Sequence, residues 1–251
     1  MNKAKIWGGL LLGLVSLGAA PAAAADKVRA VIELFTSQGC SSCPPADRHL
    51  AEIADRTDLI ALTFAVDYWD YLGWRDTLAD PANTKRQKAY AHVRGDRQVY
   101  TPQMVVNGVA HAIGSDRPAV ERAIVQSGSQ NGVLSVPVTI SYSGDTVTVM
   151  LPAQQTALAS AEAPATVMLL GVSSRQNVEI ARGENRGHTV TYRNVVRSHV
   201  KLGEWTGAAQ TFTASRLERL APGCERAVVL IQAGSQRSPG VVLGAAMARF
   251  Q

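Results

Sequence analysis

The segment Gly39-Cys40-Ser41-Ser42-Cys43-Pro44-Pro45 constrains this chain more than any other. It follows Val28 to Phe35, a mostly apolar run that reads as a buried strand. It precedes a stretch that sets Ala46, Leu50, Ile53 and Ala54 on one helical face, and Pro44 and Pro45 suit the first turn of such a helix, whose N–H groups lack intrahelical partners anyway. Two cysteines three apart at that hand-over can close a small disulfide ring. The helix N-terminus also favours a thiolate on the first sulfur, because free N–H groups and the helix dipole stabilise the anion. A lowered thiol pKa helps both attack and departure as a leaving group. Cys40 therefore reads as the nucleophile and Cys43 as the resolving thiol. A CxxC also serves as half of a zinc site, but the chain has no second CxxC or HxxxH, and His49, His92, His111, His188 and His199 are scattered. No metal and no cofactor are expected.

The leader bears on where such chemistry would run. Met1 to Ala25 carries Lys3 and Lys5, an apolar run from Ile6 to about Ala19, and Ala23-Ala24-Ala25 before Asp26, the pattern of a cleaved signal peptide. The run is short of the roughly 20 residues a spanning helix needs, and no later segment is long and apolar enough, so no stable membrane span is expected after cleavage. The expected location is the periplasm or the exterior, where disulfides persist. Without Lys3 and Lys5 the chain keeps 23 basic and 20 acidic residues. That mild balance offers no electrostatic case for nucleic acid. Three cysteines in 251 residues exclude a disulfide-dense miniature scaffold.

The mature chain divides into halves of different texture, 26–128 and 133–251, joined at 129–132 by a polar, glycine-containing stretch. In the first half Leu59 to Tyr68 reads as a second buried strand, and Asp80-Pro81 starts a helix running towards Val93. Gln103 to Val106, Asn107-Gly108 and Val109 to Ile113 read as a hairpin, and Ser115 or Asp116 caps a last helix. This alternation argues for an α/β layer structure. In the second half Val136, Val138, Ile140 and Tyr142 alternate with polar residues. Further strands are expected over Ala165 to Val172, Val178 to Ala181, Thr189 to Val196, Ala227 to Ile231 and Val241 to Arg249, so a mainly-β, sandwich-like domain follows.

Tyr100-Thr101-Pro102-Gln103 opens the hairpin with a proline that cannot donate to a ladder, either an ordinary strand-start proline or a cis X–Pro turn. With the strand–CxxC–helix opening, this Thr-Pro makes the first half resemble the thioredoxin superfamily. The resemblance implies that Pro102 is cis beside the CxxC and that Thr101 pairs with a substrate strand. The whole mature chain also resembles a family of secreted bacterial thioredoxin-like proteins of unknown function, through Glu33 to Asp47 (ELFTSQGCSSCPPAD) and Arg182-Gly183-Glu184-Asn185. That likeness assigns no reaction. Thioredoxin proper has a buried acid six positions before its first cysteine; here that position is Leu34, and Glu33 lies seven before. Glu33 reads either as a buried carboxylate able to move the Cys43 proton or as a group on a solvated strand face.

Tyr68, Trp69, Tyr71 and Trp74 follow the second strand, on the side where open α/β sheets carry their sites. They read as a platform for a client, or in part as packing against the second half. Arg193 and Arg197 share a strand face, open to an anion, a second protein or solvent. Cys224 reads as a free, inert thiol, an intermolecular partner or a third redox thiol. Two functions fit. One is an exported thiol–disulfide oxidoreductase whose partners are protein thiols and disulfides and a second redox protein. The other is a non-catalytic binding or assembly module, with a structural CxxC disulfide or copper(I)-binding thiols that His49 or Met104 would support.

Overall fold

The computed structural model describes residues 28–156, 158–160 and 162–250, so the leader expected over 1–25 lies outside the described residues. The chain is a mixed α/β structure dominated by β-sheet. β1 (Ala30–Thr36) and β2 (Leu59–Ala65) are buried at every residue, as two-sided packing of apolar strands requires. They run parallel, Ala30 opposite Leu59 through Thr36 opposite Ala65, and α1 (Pro44–Ile53) makes the crossover. A short 3-10 turn (Asp70–Leu72) leads to α2 (Pro81–Arg94), capped where the Asp80 carboxylate accepts from Ala82 N–H at 2.8 Å. β3 (Gln103–Val106) runs antiparallel to β1 and turns into β4 (Ala110–Ile113). The turn places Asn107 at φ 51° and Gly108 at φ 77°, the positive pair a tight hairpin needs. Asp116 caps α3 (Arg117–Gly128) by accepting from Ala119 N–H at 3.0 Å.

The rest of the chain supplies β5 (Thr139–Ser143), β6 (Thr146–Leu151), β7 (Ala165–Glu179), β8 (Thr189–Trp205), β9 (Gln210–Ser215), a short α4 (Arg216–Arg219), β10 (Arg226–Ser235) and β11 (Ser238–Arg249). Eight strands form one sheet in the order β11-β10-β7-β8-β2-β1-β3-β4, and β5-β6-β9 form a second. The stretch 129–132 lies between α3 and β5, and strands from both sides of it share the large sheet, where β2 and β8 meet in parallel at Thr63 and Val195. The segments expected at Ala165 to Val172 and Val178 to Ala181 join in one continuous strand that ends at Glu179, interrupted in the sequence only by the polar run Ser173 to Asn177.

Alternation along the strands builds three core layers. Val147, Val149 and Phe212 of the small sheet pack on Val167, Leu169, Val229 and Leu243 of the large one. On the opposite face Met168, Leu170, Val228 and Leu230 continue into Phe35, Leu62, Phe64 and Val105, with Tyr90 of α2 over them. Ile32, Leu34 and Met104 face Ala46 and Leu50 of α1 and Val120 and Ile124 of α3. Each fully buried aliphatic side chain contributes about 1.5–3 kcal/mol of transfer free energy.

β7 is buried on both faces through Ser173 and then alternates to solvent, because β10 pairs with it only as far as Val172. Beyond that point β7 and β8 project as a two-stranded arm. Its turn is closed by Gly187 N–H donating to Ile180 C=O at 2.7 Å and Ile180 N–H donating to His188 C=O at 2.9 Å. Asn194 ties the arm's base to α1 and β2, donating to Ala54 C=O at 3.2 Å and Ala61 C=O at 2.9 Å.

Candidate functional site

Cys40 and Cys43 form a disulfide at the N-terminus of α1. Cys43 is the N-cap residue; its carbonyl accepts from Ala46 and Asp47 N–H at 2.9 and 3.1 Å, and its own N–H donates to Cys40 C=O at 3.1 Å. The two proline rings cannot donate there, so the missing N–H groups of the first turn leave nothing unsatisfied. Gly39 packs closely beside Cys40: a Cβ on it would stand 3.1 Å from Trp69 Cβ, a tight contact. The Ser42 hydroxyl lies 3.4 Å from Cys40 Sγ and donates to Thr101 C=O at 3.5 Å, which brings the Thr101-Pro102 segment beside the disulfide. The Thr101–Pro102 peptide is cis.

The aromatic loop divides between framework and surface. Trp69 Nε1 donates to Thr101 Oγ1 and Trp74 Nε1 to Gln38 Oε1, each at 2.8 Å, so both indoles hold the segments that flank the cysteines. Tyr68 donates to Gln87 Oε1 at 3.2 Å, and burial pushes its hydroxyl up to about 12. Tyr71, 77% exposed and stacked on Trp69, is the outward ring of the four.

Glu33 is not part of this constellation. β1 is an interior strand, so Glu33 is buried, and the alternation that sends Ile32 and Leu34 towards α1 sends Glu33 to the α2 face. There Arg86 binds it through Nε at 2.5 Å and Nη2 at 2.8 Å, and the Tyr90 hydroxyl donates to it at 2.7 Å. Gln232 of β10 joins the network, donating to the Tyr90 oxygen at 2.9 Å and accepting from Arg86 at 3.1 Å. The charge is neutralised by a bidentate partner, and the network joins the two halves of the chain.

The buried acid nearest the two cysteines in sequence is Asp47, to which the sequence pattern attaches no role. It lies one turn beyond Cys43 on α1 and is 3% exposed. One carboxylate oxygen accepts from the Thr36 hydroxyl at 2.8 Å; the other, Oδ2, has no hydrogen-bond partner. Burial raises its pKa to about 7, the Thr36 bond opposes the rise, and the Asp76 carboxylate adds to it. Burial raises Asp76 as well, against the N–H groups of Gln38 and Leu78 that it accepts at 2.8 Å. Tyr192 of the arm is buried near both acids; burial and their charges lift its hydroxyl far above its ordinary value. The legible signal was a stripe: Cys43, Asp47, Leu50 and Ala54 fall on one helical face that is otherwise apolar.

The second half also reaches the site. Asn185 donates through Nδ2 to Gln38 C=O and Cys40 C=O, both at 2.9 Å, and Ser41 N–H donates to the Glu184 carboxylate at 3.3 Å. Arg193 is committed to Asp55 at 2.5 Å and to Ser174 C=O at 3.2 Å, which anchors the arm rather than offering a free cation. Cys224 is half-buried and not in the disulfide; burial pushes its thiol up to about 11. His49 places Nδ1 3.0 Å from Gly114 C=O, and Met104 is fully buried. Among the described residues no group of three or more His, Cys, Asp or Glu is arranged to hold a metal ion, and no helix is long and apolar enough to cross a membrane.

A crystal structure of a protein from Agrobacterium tumefaciens is similar at 31% identity and a TM-score of 0.77, covering 90% of this chain and 96% of that one. HBP35 of Porphyromonas gingivalis is similar at 13% identity and a TM-score of 0.58, covering 89% of this chain and 76% of that one, a likeness of fold alone. No curated protein matches. The family described as "Protein of unknown function (DUF1223)" matches over residues 31–232, and this chain belongs to it.

Proposed function

We propose that this protein is an exported thiol–disulfide oxidoreductase that acts on protein disulfides through Cys40 and Cys43. The observation that carries the reading is the pairing of a disulfide at a helix N-terminus with Asp47 one turn later, buried, half-satisfied and titrating about 7. A carboxyl that titrates there can accept and return a proton at neutral pH. The thioredoxin-like reading of the first half is supported by the parallel β1–α1–β2 unit, the β2-β1-β3-β4 order and the Thr101 segment beside the cysteines. The sandwich-like reading of the second half is supported by the small sheet packed on β7, β10 and β11.

In the reductive direction the Cys40 thiolate attacks a client disulfide; a Cys40–client bond forms, and the client S–S bond breaks to release one client thiolate. Cys43 gives its proton to Asp47 and attacks Cys40 Sγ. The second client sulfur leaves and is protonated. Two electrons pass to the client, and a separate redox protein must then reduce the Cys40–Cys43 bond. Thr101 and the exposed Tyr71 face would receive the client segment.

One observation favours the alternative, a binding module with a structural disulfide: Cys40 and Cys43 are only 2% and 0% exposed. Trapping separates the two. Incubated with an extract whose proteins keep their disulfides, Cys43→Ser is expected to accumulate mixed disulfides through Cys40, whereas Cys40→Ser accumulates none. Equal trapping by both, or none by either, would sink the oxidoreductase reading.

A further inference from the structure

The turn 182–187 belongs to the far half of the chain, yet it closes over the cysteine loop. From Ala181 to Thr189 every residue is exposed except Asn185, which is 4% exposed. Gly183 at φ 78° and Gly187 at φ 81° allow the turn to fold back around it. The single amide nitrogen of Asn185 spends both hydrogens on the cysteine loop, at Gln38 C=O and Cys40 C=O. Cys40 C=O also accepts the Cys43 N–H that closes the disulfide ring, so Asn185 buttresses the ring itself. The turn also meets the aromatic loop: a Cβ on Gly183 would lie 3.3 Å from Trp74 Cβ. Cys40, whose carbonyl the turn holds, is 2% exposed. Exchange requires direct attack on a sulfur, and its rate depends on access.

We propose that Asn185 is a positioning residue that latches the turn 182–187 over the disulfide, and that its release exposes Cys40 to attack. The second half of the chain thereby sets the rate of exchange. The proposal deepens the oxidoreductase reading and rests on it, since a latch has a role only where the disulfide exchanges.

The test is the rate at which excess dithiothreitol reduces the disulfide in the full chain carrying Cys224→Ser, followed by maleimide mass shift. One reagent thiolate attacks Cys40 Sγ and expels Cys43, which takes a proton. The second reagent thiol then displaces Cys40, leaving two protein thiols and the cyclic oxidised reagent. Asn185→Ala is expected to be reduced about tenfold faster, the scale set by losing two neutral hydrogen bonds. Asn185→Asp keeps the shape but turns acceptors towards two carbonyl oxygens, and is expected to accelerate reduction at least as much. Gly187→Ala perturbs only the turn, since nothing lies within 4 Å of an added Cβ there, and is expected to accelerate in the same sense. A residue serving stability alone would lower the melting temperature and leave these rates unchanged; wild-type rates in folded variants overturn the latch. The oxidoreductase reading fails separately, when Cys43→Ser traps no client, whatever the ratio of these rates.

Discussion

The Thr36 hydroxyl donates to one carboxylate oxygen of Asp47 at 2.8 Å and leaves the other without a partner in a buried site. A half-satisfied buried carboxyl favours its neutral form, which is why burial raises it from 3.8 to about 7. In this window the folded chain holds a proton that the unfolded chain releases. Stability is therefore fullest below about pH 4 and falls as pH rises towards 7, by up to roughly 4 kcal/mol for this group. Asp47→Asn removes that slope, and urea midpoints at pH 4.5 and 8 measure it. His199, which burial lowers to about 4, contributes the opposite slope between its ordinary value and pH 4; being common to both proteins, it cancels in the comparison. The same pH dependence in both proteins contradicts the assignment.

Arg86→Met strands the Glu33 carboxylate among Phe64, Tyr90 and Gln232. Breaking a buried pair on one side costs about 3–5 kcal/mol. The expected result is a much lower urea midpoint with the disulfide reduction rate of the folded protein unchanged. A changed exchange rate at unchanged stability would return Glu33 to the chemistry.

Gly108 sits at φ 77° where the β3–β4 turn meets β11, and an added Cβ would collide with Gly240 C=O. Asn107 holds the same seam, accepting from Val31 N–H at 2.8 Å through its side chain and from Val242 N–H at 3.0 Å through its carbonyl. Gly108→Ala is expected to cost more than about 2 kcal/mol, since both the backbone conformation and a backbone neighbour oppose it. Thermal unfolding checks it; a loss below half that size would mean the seam yields.

Cys224 is expected to resist alkylation. With its thiol pushed up to about 11, the thiolate fraction at pH 8 is roughly a hundredfold below that of an ordinary cysteine. Iodoacetamide labelling followed by mass spectrometry measures the ratio, and labelling at the rate of a free peptide cysteine would contradict it.

Much of the first half is legible because its signals are local. Asp80-Pro81, Asp116 and Asn107-Gly108 mark their elements within a residue or two, since a cap or turn depends on neighbours along the chain. Face assignments are less local. Period-2 alternation separates Glu33 from Leu34, but which face α1 covers is decided by packing, which sends Glu33 to Arg86 of α2 and leaves Asp47 as the buried acid on the helix that Cys43 caps. The link from Asn185 to Cys40 spans 145 residues and is set by the register of two long strands, which no short pattern encodes. The same holds for the joint at 129–132: composition changes there, yet β8 covers the edge of β2 and carries the sheet across it.

The central claim is that the Cys40–Cys43 bond exchanges. Its reduction potential, titrated in glutathione buffers on a Cys224→Ser background, tests this most directly. The account predicts a value between about −120 and −270 mV, the span of catalytic pairs. A value well below about −300 mV would mark a bond too stable to exchange and would contradict it.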